Sequence, residues 1–317
     1  MKRILPGVFA VLIFLTACAG SSGQTPEGSS PPASDGGPDD PGAIDHPTGS
    51  EAILVVDSSG GFVPVQFVAT RLPTFVLLGD GRVIMQGMQT LQFPGPAYPA
   101  LIERTLTEKG IQAILQGVED TNLFISDLEL NGAQSVVADA ANTLFILNAG
   151  GQEVTVSVYG LGALPPNMEA PPGISSGEIE AHQVLGQLNE GLMTLDSWLP
   201  ADAWEAQGWQ PYQPDAFRLY VRDVTGQPVD GGDLPEQVRD WPTDDDPAAF
   251  GAEEAFFGDG TRCGVVDGAL GATWFEELNG ANQVTLWTDD GTRRFSVMAR
   301  PVLPHEDPAC PELAGGA

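Results

Sequence analysis

The chain has 317 residues, with 43 acidic side chains against 13 basic ones and a formal charge of −30. A surface this acidic excludes most nucleic-acid binding, which needs a basic face to neutralise phosphates, and it repels anionic headgroups. Three cysteines in such a length exclude a disulfide-dense scaffold, and the body is long enough to bury a sizeable core.

The first twenty residues read MKRILPGVFAVLIFLTACAG. Lys2 and Arg3 form a basic head. Ile4 to Ala17 is an apolar run that would cover only about 21 Å as a helix, short of the roughly 30 Å hydrocarbon core of a bilayer. A basic head, a short apolar run and small residues at its end make a secretory signal and not a spanning helix. Its last residues, Leu15-Thr16-Ala17-Cys18, resemble the lipobox of bacterial lipoproteins. That resemblance implies that the Cys18 thiol takes a diacylglyceryl group, carrying palmitate-type chains, and that residues 1–17 are then removed as a signal peptide. It also implies attachment to the cell membrane on its extracytoplasmic face, since two acyl chains hold where one binds only reversibly.

Residues 18–50 read as a disordered tether. Over half of Ala19 to Ser50 is Gly, Ser or Pro, and Ile44 is its only large aliphatic residue, too little apolar surface to fold. A coil of about 32 residues has an r.m.s. reach of roughly 30 Å.

The body then reads as an N-terminal unit over 51–200 and a C-terminal unit over 201–311, as one domain or two, with 312–317 as a tail. Ile53 to Asp57 alternates as a strand, Ser58 to Gly61 turns, and Phe62 to Thr70 reads as a returning strand with Val65, Phe67 and Ala69 on one face. Thr74 to Leu78 and Arg82 to Gln86 flank Gly79-Asp80-Gly81, a hairpin signal, and the proline-rich loop Phe93 to Pro99 ends this meander. At Thr107 the period shifts towards 3.6. Thr107 is an N-cap, Leu106 and Ile111 form a staple, and Ile111, Ile114, Leu115 and Val118 stripe a helix over 108–118. Thr143 to Leu147 and Glu153 to Val158 make a second hairpin. Ser175 caps a second helix with Glu178 at the capping-box position, and Leu185, Leu188, Leu192, Leu195 and Leu199 form its seam. Ala216 to Val224 and Arg262 to Val266 read as strands, Gly268 to Asn279 as a helix capped by Asp267 and stopped by Gly280, and Gln283 to Thr288 with Arg294 to Leu303 as a last hairpin.

These elements predict an α+β fold, a mainly antiparallel sheet of hairpins with two or three packed helices. Hairpin signals near Asp80, Gly150, Val224 and Asp290 also fit a degenerate ββα duplication. The stretches GGFVP (60–64), LPTFVLLGDGRVI (72–84) and LTEKGIQAIL (106–115) resemble a set of actinobacterial lipoproteins and secreted proteins. The resemblance implies export and a lipid anchor and brings no catalytic residue with it.

Cys263 and Cys310 are the only cysteines of the body, and an exported pair is expected to oxidise and pin the C-terminal tail. A metal site at the same pair lacks a third and fourth ligand at usable spacing, and no cofactor is expected. Gly173 to Gly177 satisfies G-x-S-x-G, yet a nucleophile elbow follows a buried strand and this one follows prolines, so Ser175 reads as the helix cap. Of the three histidines, His46 falls in the tether and His305 in the tail, leaving His182 half-exposed on a helix one turn after Glu178. The acidic stretch 242–254 lacks the order of a calcium loop. Trp198, Trp204, Trp209 and Tyr212, with Phe217 beyond them, either offer a binding surface or close the open side of the sheet as a lid, and burial separates the two.

The expected function is therefore that of a lipid-anchored, non-enzymatic module holding a protein or envelope polymer outside the membrane. The alternative is an extracytoplasmic hydrolase whose carboxylates assemble from distant segments, with Glu178, His182 or the 244–254 cluster as members.

Overall fold

The computed structural model describes residues 42–89, 91–164, 171–228 and 235–313. The signal, Cys18 and most of the expected tether lie outside the described residues. The chain divides after Pro41, and Gly42–Ala317 is a compact unit of its own that includes both halves of the expected body.

Gly42 to Ser50, expected as tether, is part of this unit because its backbone groups find partners there. The Gln112 side chain accepts from the Ile44 N–H at 2.8 Å and donates to the Ile44 carbonyl at 2.9 Å. The Asp45 carbonyl accepts from Gly150, and the Gly49 carbonyl from Asp80. Gly79 has to be glycine at this seam, since a Cβ would stand 2.5 Å from the Pro47 carbonyl oxygen.

From there the elements are β1 (Ala52–Gly60), α1 (Val65–Thr70), β2 (Phe75–Leu78), β3 (Arg82–Gln86), β4 (Leu101–Thr105) and α2 (Glu108–Glu119), then β5 (Leu128–Leu130), β6 (Ala141–Ala149), β7 (Gln152–Tyr159), α3 (Ser176–Met193), α4 (Leu195–Trp198) and β8 (Gln210–Pro211). The remainder is β9 (Ala216–Asp223), β10 (Val238–Asp240), β11 (Ala252–Glu253), β12 (Arg262–Asp267), α5 (Gly268–Asn279), β13 (Leu286–Thr288) and β14 (Phe295–Pro301). They form two sheets, in the orders β5-β7-β6-β1-β2-β3-β4-β8 and β10-β13-β14-β9-β12-β11. Pairing is antiparallel except at β5 with β7 and β10 with β13. The fold is α+β, as the hairpin signals predict. None of the described helices is long and apolar enough to cross a membrane.

One face of the first sheet carries Val56, Phe75, Leu77, Phe145, Leu147, Val154, Val156 and Val158. Against it pack the predicted stripe of α2 and the whole leucine seam from Leu185 to Leu199, all buried. Each such side chain contributes about 1.5–3 kcal/mol on full burial. The opposite face, with Val55, Val76, Leu78, Ile84 and Leu101, is covered by Tyr212 and by Leu303 from the chain after β14. In the second sheet Phe217, Leu219, Val221, Phe295 and Val297 pack on Trp274 and Leu278 of α5 and on Trp241.

Three elements depart from the sequence reading. Phe62 to Thr70 is not a strand: β1 pairs with β6 as far as Gly60 but with β2 only to Val56, and beyond that point the Arg71 side chain takes the Ser58 and Gly60 carbonyls that a returning strand would use. Gly60 and Gly61, at positive φ, turn the chain out of the sheet instead, and Pro64 leads into the short α1. β9 closes no hairpin near Val224, because it is a central strand between β14 and β12. Asp267 holds the N-cap position of α5 without a capping hydrogen bond.

After β14 the chain crosses the outer face of the first sheet as a strap that ends at the disulfide between Cys263 and Cys310, whose Cα atoms are 6.1 Å apart across a sequence separation of 47. Closing a loop of that length stabilises the fold by about 4 kcal/mol in the chain-entropy model. Reduction, or the Cys263→Ser/Cys310→Ser variant, is accordingly expected to lower stability by up to that amount, measured by urea unfolding with and without dithiothreitol. Identical curves would show that the strap holds without its covalent end.

Candidate functional site

The predicted aromatic surface does not converge. Trp204 is buried in the helix-covered core, meets Trp209 edge-on at 5.7 Å and lies 4.0 Å beneath the Arg104 guanidinium. Trp209 donates its indole N–H to Asp196, the carboxylate that also takes Arg104. Tyr212 is buried on the opposite face of the sheet with Leu101 and Leu303. Trp198, the one ring of the four at the exposed limit, sits over two glycines: a Cβ at Gly117 or Gly191 would come within 2.7 or 3.0 Å of it. These residues act as the lid. Hydrophobic burial takes Trp204 and Tyr212 out of solvent and Trp209 in part, and leaves no common aromatic face.

The hydrolase residues are likewise occupied by structure. Ser175 accepts from the Glu178 N–H as a cap. The Glu178 carboxylate, which the capping box would turn back on Ser175, accepts instead from the Gly132 N–H. In the 244–254 stretch Asp245 accepts from Trp241 and Thr243, and Asp246 from the Ala248 N–H, so these carboxylates build turns. Among the described residues no group of three or more His, Cys, Asp or Glu side chains is placed to hold a metal. His46 belongs to the body, with its ring between the Pro47 carbonyl and Glu108.

His182 is buried, not half-exposed as its flank position suggested, with 2% of its surface accessible. Neither ring nitrogen has a hydrogen-bond partner among the described residues. Burial pushes its pKa down, and the Glu178 charge only partly offsets this.

The concave site that sequence reading missed lies between the strap and the outer face of the first sheet. It is a cleft of about 350 Å³ with Ala52, Val55 and Ile146 as its apolar floor, and Asp57, Glu51, Glu153, His305 and Glu306 around it. Strand alternation puts Val55 and Asp57 on one face of β1, and the strap brings His305 and Glu306 over them. Arg300 fixes the strap by binding Glu306 through both terminal nitrogens, at 2.7 and 2.6 Å, while its Nε donates to the Arg71 carbonyl at 2.8 Å. Glu306 also caps the Leu303 N–H, and Arg218 donates to the carbonyls of Asp307 and Pro308.

Electrostatics separate these groups. Burial alone would raise Glu306, but the Arg300 hydrogen bonds and charge outweigh it and hold the carboxyl below its ordinary range. Burial raises Asp57 despite the Ser58 N–H at 2.7 Å and the charges of Arg300 and Arg71. Burial lowers His305, whose Nδ1 is enclosed without a hydrogen-bond partner. The lining contains no Ser, Thr, Cys, Lys or Tyr that could act as a nucleophile, and Glu306 is committed to Arg300. What the arrangement offers is a partly buried carboxyl, raised by burial, whose ionised form an incoming cation would favour.

The buried His182 gives a prediction whose sign is fixed by linkage. Its folded pKa lies below the unfolded value near 6.5, so stability is complete above that pH and falls as pH drops from it towards the folded pKa. His182→Leu is expected to stabilise by about 1 kcal/mol at pH 7 and by more at pH 5, because it removes two buried unpaired nitrogens. Urea unfolding across pH 4.5–7.5 measures this, and a variant equally acid-sensitive would place the proton elsewhere.

Comparison with known proteins matches no family model, no curated protein and no solved structure.

Proposed function

We propose that this chain is a lipid-anchored extracytoplasmic protein, held to the cell membrane through Cys18, whose body binds a cationic group of an envelope polymer or protein in the cleft beneath the C-terminal strap. The sequence carries the first half: a basic head, an apolar run too short to span, and Leu15-Thr16-Ala17-Cys18.

One observation carries the second half. Asp57 lines a concavity together with Glu51 and Glu153, and the two guanidinium groups near enough to act on it are engaged elsewhere. Arg300 is bound to Glu306, and Arg71 donates to the carbonyls of Ser58 and Gly60. An ammonium or guanidinium in the cleft would meet carboxylates over an apolar floor suited to the stem of such a group. A bound cation would favour the ionised form of Asp57 that burial disfavours, so affinity should rise with pH through that group's raised pKa. Glu178, His182 and the acidic 244–254 stretch do not line this cleft, which removes the geometric support for the hydrolase assembled from them.

Two measurements test the halves separately. Cys18→Ser is expected to move the protein from the membrane pellet to the soluble fraction and to leave the signal uncleaved, and a variant that still pellets at the parent's mass would refute the anchor. In thermal unfolding at pH 7, millimolar arginine amide is expected to raise the midpoint by a few degrees for the parent and not for Asp57→Asn, with sodium acetate as the control. Equal shifts in both proteins would place the cation outside the cleft.

A further inference from the structure

Five of the six most exposed large apolar side chains among the described residues gather at one end of the first sheet, the other being Ile125, which lies beside Ile44 and Gly150. β1 ends at Gly60 and β2 starts at Phe75, while β3 ends at Gln86 and β4 starts at Leu101. The pairings Val56 with Phe75, Phe75 with Met85, and Gln86 with Leu101 put all four of these termini at the same end. The β1–β2 and β3–β4 connections therefore leave the sheet side by side, two strands or about 10 Å apart at their roots. The first carries Phe62 at 92% exposure and Phe67 at 59%, and the second Met88 at 98%, Leu91 at 104% and Phe93 at 58%.

Charge marks the same two segments. Although 18% of the chain is charged, neither 58–70 nor 83–102 contains an Asp, Glu, Lys, Arg or His. Both are also fixed at their bases. Arg71 holds the Ser58 and Gly60 carbonyls, Ala69 of α1 packs into the cluster of Tyr220 and Cys263, and Tyr98 sits against Phe217 and Phe275. Pro96 bridges to Asn282. The tips are thus apolar projections on a firm base, and each fully exposed ring or thioether presents on the order of 150 Å² to water.

We propose that this uncharged rim inserts into the interfacial layer of a lipid bilayer. Three observations favour a bilayer over a protein partner or a second copy. The side chains come from two separate connections and line neither the cleft beneath the strap nor the one beside Ile125, so a fluid phase covers them where a rigid partner would need a matching surface. Neither connection carries a charge of its own to desolvate on insertion, and the exposed Asp139, whose carbonyl accepts from the Phe62 N–H, belongs to the neighbouring β5–β6 connection. A net charge of −30 opposes association of the chain with itself. The same charge opposes anionic lipid, so the surface fits zwitterionic headgroups.

The rim lies at the opposite end of the sheet from Gly42 to Ser50, which enter beside the β2–β3 and β6–β7 turns. β1 spans about 30 Å, whereas the 24 residues from Cys18 to Pro41 can extend to about 80 Å. An anchored body can therefore lie with its rim on the same bilayer. This inference rests on the anchor reading only for its local concentration, and its test omits the anchor.

The chain from Ala19 onward keeps the compact unit Gly42–Ala317 and lacks both signal and lipid. It is expected to float with phosphatidylcholine–phosphatidylethanolamine vesicles and to do so equally at 0.1 and 0.5 M NaCl, since no ion pair is involved. Phe62→Ser/Leu91→Ser should reduce the vesicle-bound to free ratio about tenfold or more with an unchanged thermal midpoint, and Met88→Ser should reduce it by less. Absence of flotation, equal flotation of parent and double variant, or a parent dimer that the double variant abolishes in sedimentation equilibrium would each overturn the proposal. None of these outcomes bears on whether Cys18 is lipidated.

Discussion

Arg300 is where the two sheets and the C-terminal strap are joined. It lies on β14 of the second sheet, its Nε bonds the Arg71 carbonyl at the end of α1, and its other nitrogens clasp Glu306 on the strap. Its side chain is 9% exposed and that of Glu306 14%. A charge so enclosed is costly without a partner, and with one it admits a narrow range of geometries. The pair therefore fixes where the strap runs, and with it the position of Leu303 over the outer face of the first sheet and of His305 over Asp57. Arg218 and the disulfide continue the same attachment towards the chain's end.

This junction also explains why the body has two faces of different chemistry. The helix side of the first sheet is closed by α2, α3 and the leucine seam, a covering that hydrophobic burial alone specifies. The outer side is closed only in part, by Tyr212 and the strap, and the part left open is the cleft. An apolar floor with carboxyls at its rim results from strand alternation on β1 and from the strap's path across it. The uncharged rim has a different origin: two connections at one end of the sheet whose bases pack against the second sheet's clusters while their exposed tips carry no charge of their own.

Local chemistry made much of the fold legible in the sequence. Thr107 and Ser175 cap helices because their hydroxyls accept from an N–H three residues on, and both do so. The glycine turns at 79–81 and 150–151 sit in hairpins because the backbone there needs positive φ. Long-range pairing was not legible in the same way. The alternation of Val65, Phe67 and Ala69 suits a strand, but β6, from some eighty residues later, takes one edge of β1 and the Arg71 side chain takes the Ser58 and Gly60 carbonyls on the other. The anchoring of Gly42 to Ser50 was hidden for the same reason, since Gln112, Gly150 and Asp80 supply the bonds.

The candidate site was less legible still. Cys263 with Cys310 could be expected as the body's one cysteine pair in a chain whose first residues read as an export signal, whereas the aromatic run at 198–212 gave composition without orientation, and its rings divide between the two faces of the sheet. Asp57, Arg300, His305 and Glu306 come from opposite ends of the chain with no motif to connect them. The charge-free stretches 58–70 and 83–102 were readable as such, and only their exposure gives them meaning. The junction that builds the cleft is tested most directly by Glu306→Gln in urea unfolding across pH. Leaving Arg300 buried without its counter-charge is expected to cost about 3–5 kcal/mol at pH 7. Because the parent's Glu306 stabilises above its ordinary pKa and loses that contribution as pH falls, the gap should narrow below about pH 4.5. A variant within 1 kcal/mol of the parent at neutral pH would show that the strap, and the site beneath it, do not depend on this pair.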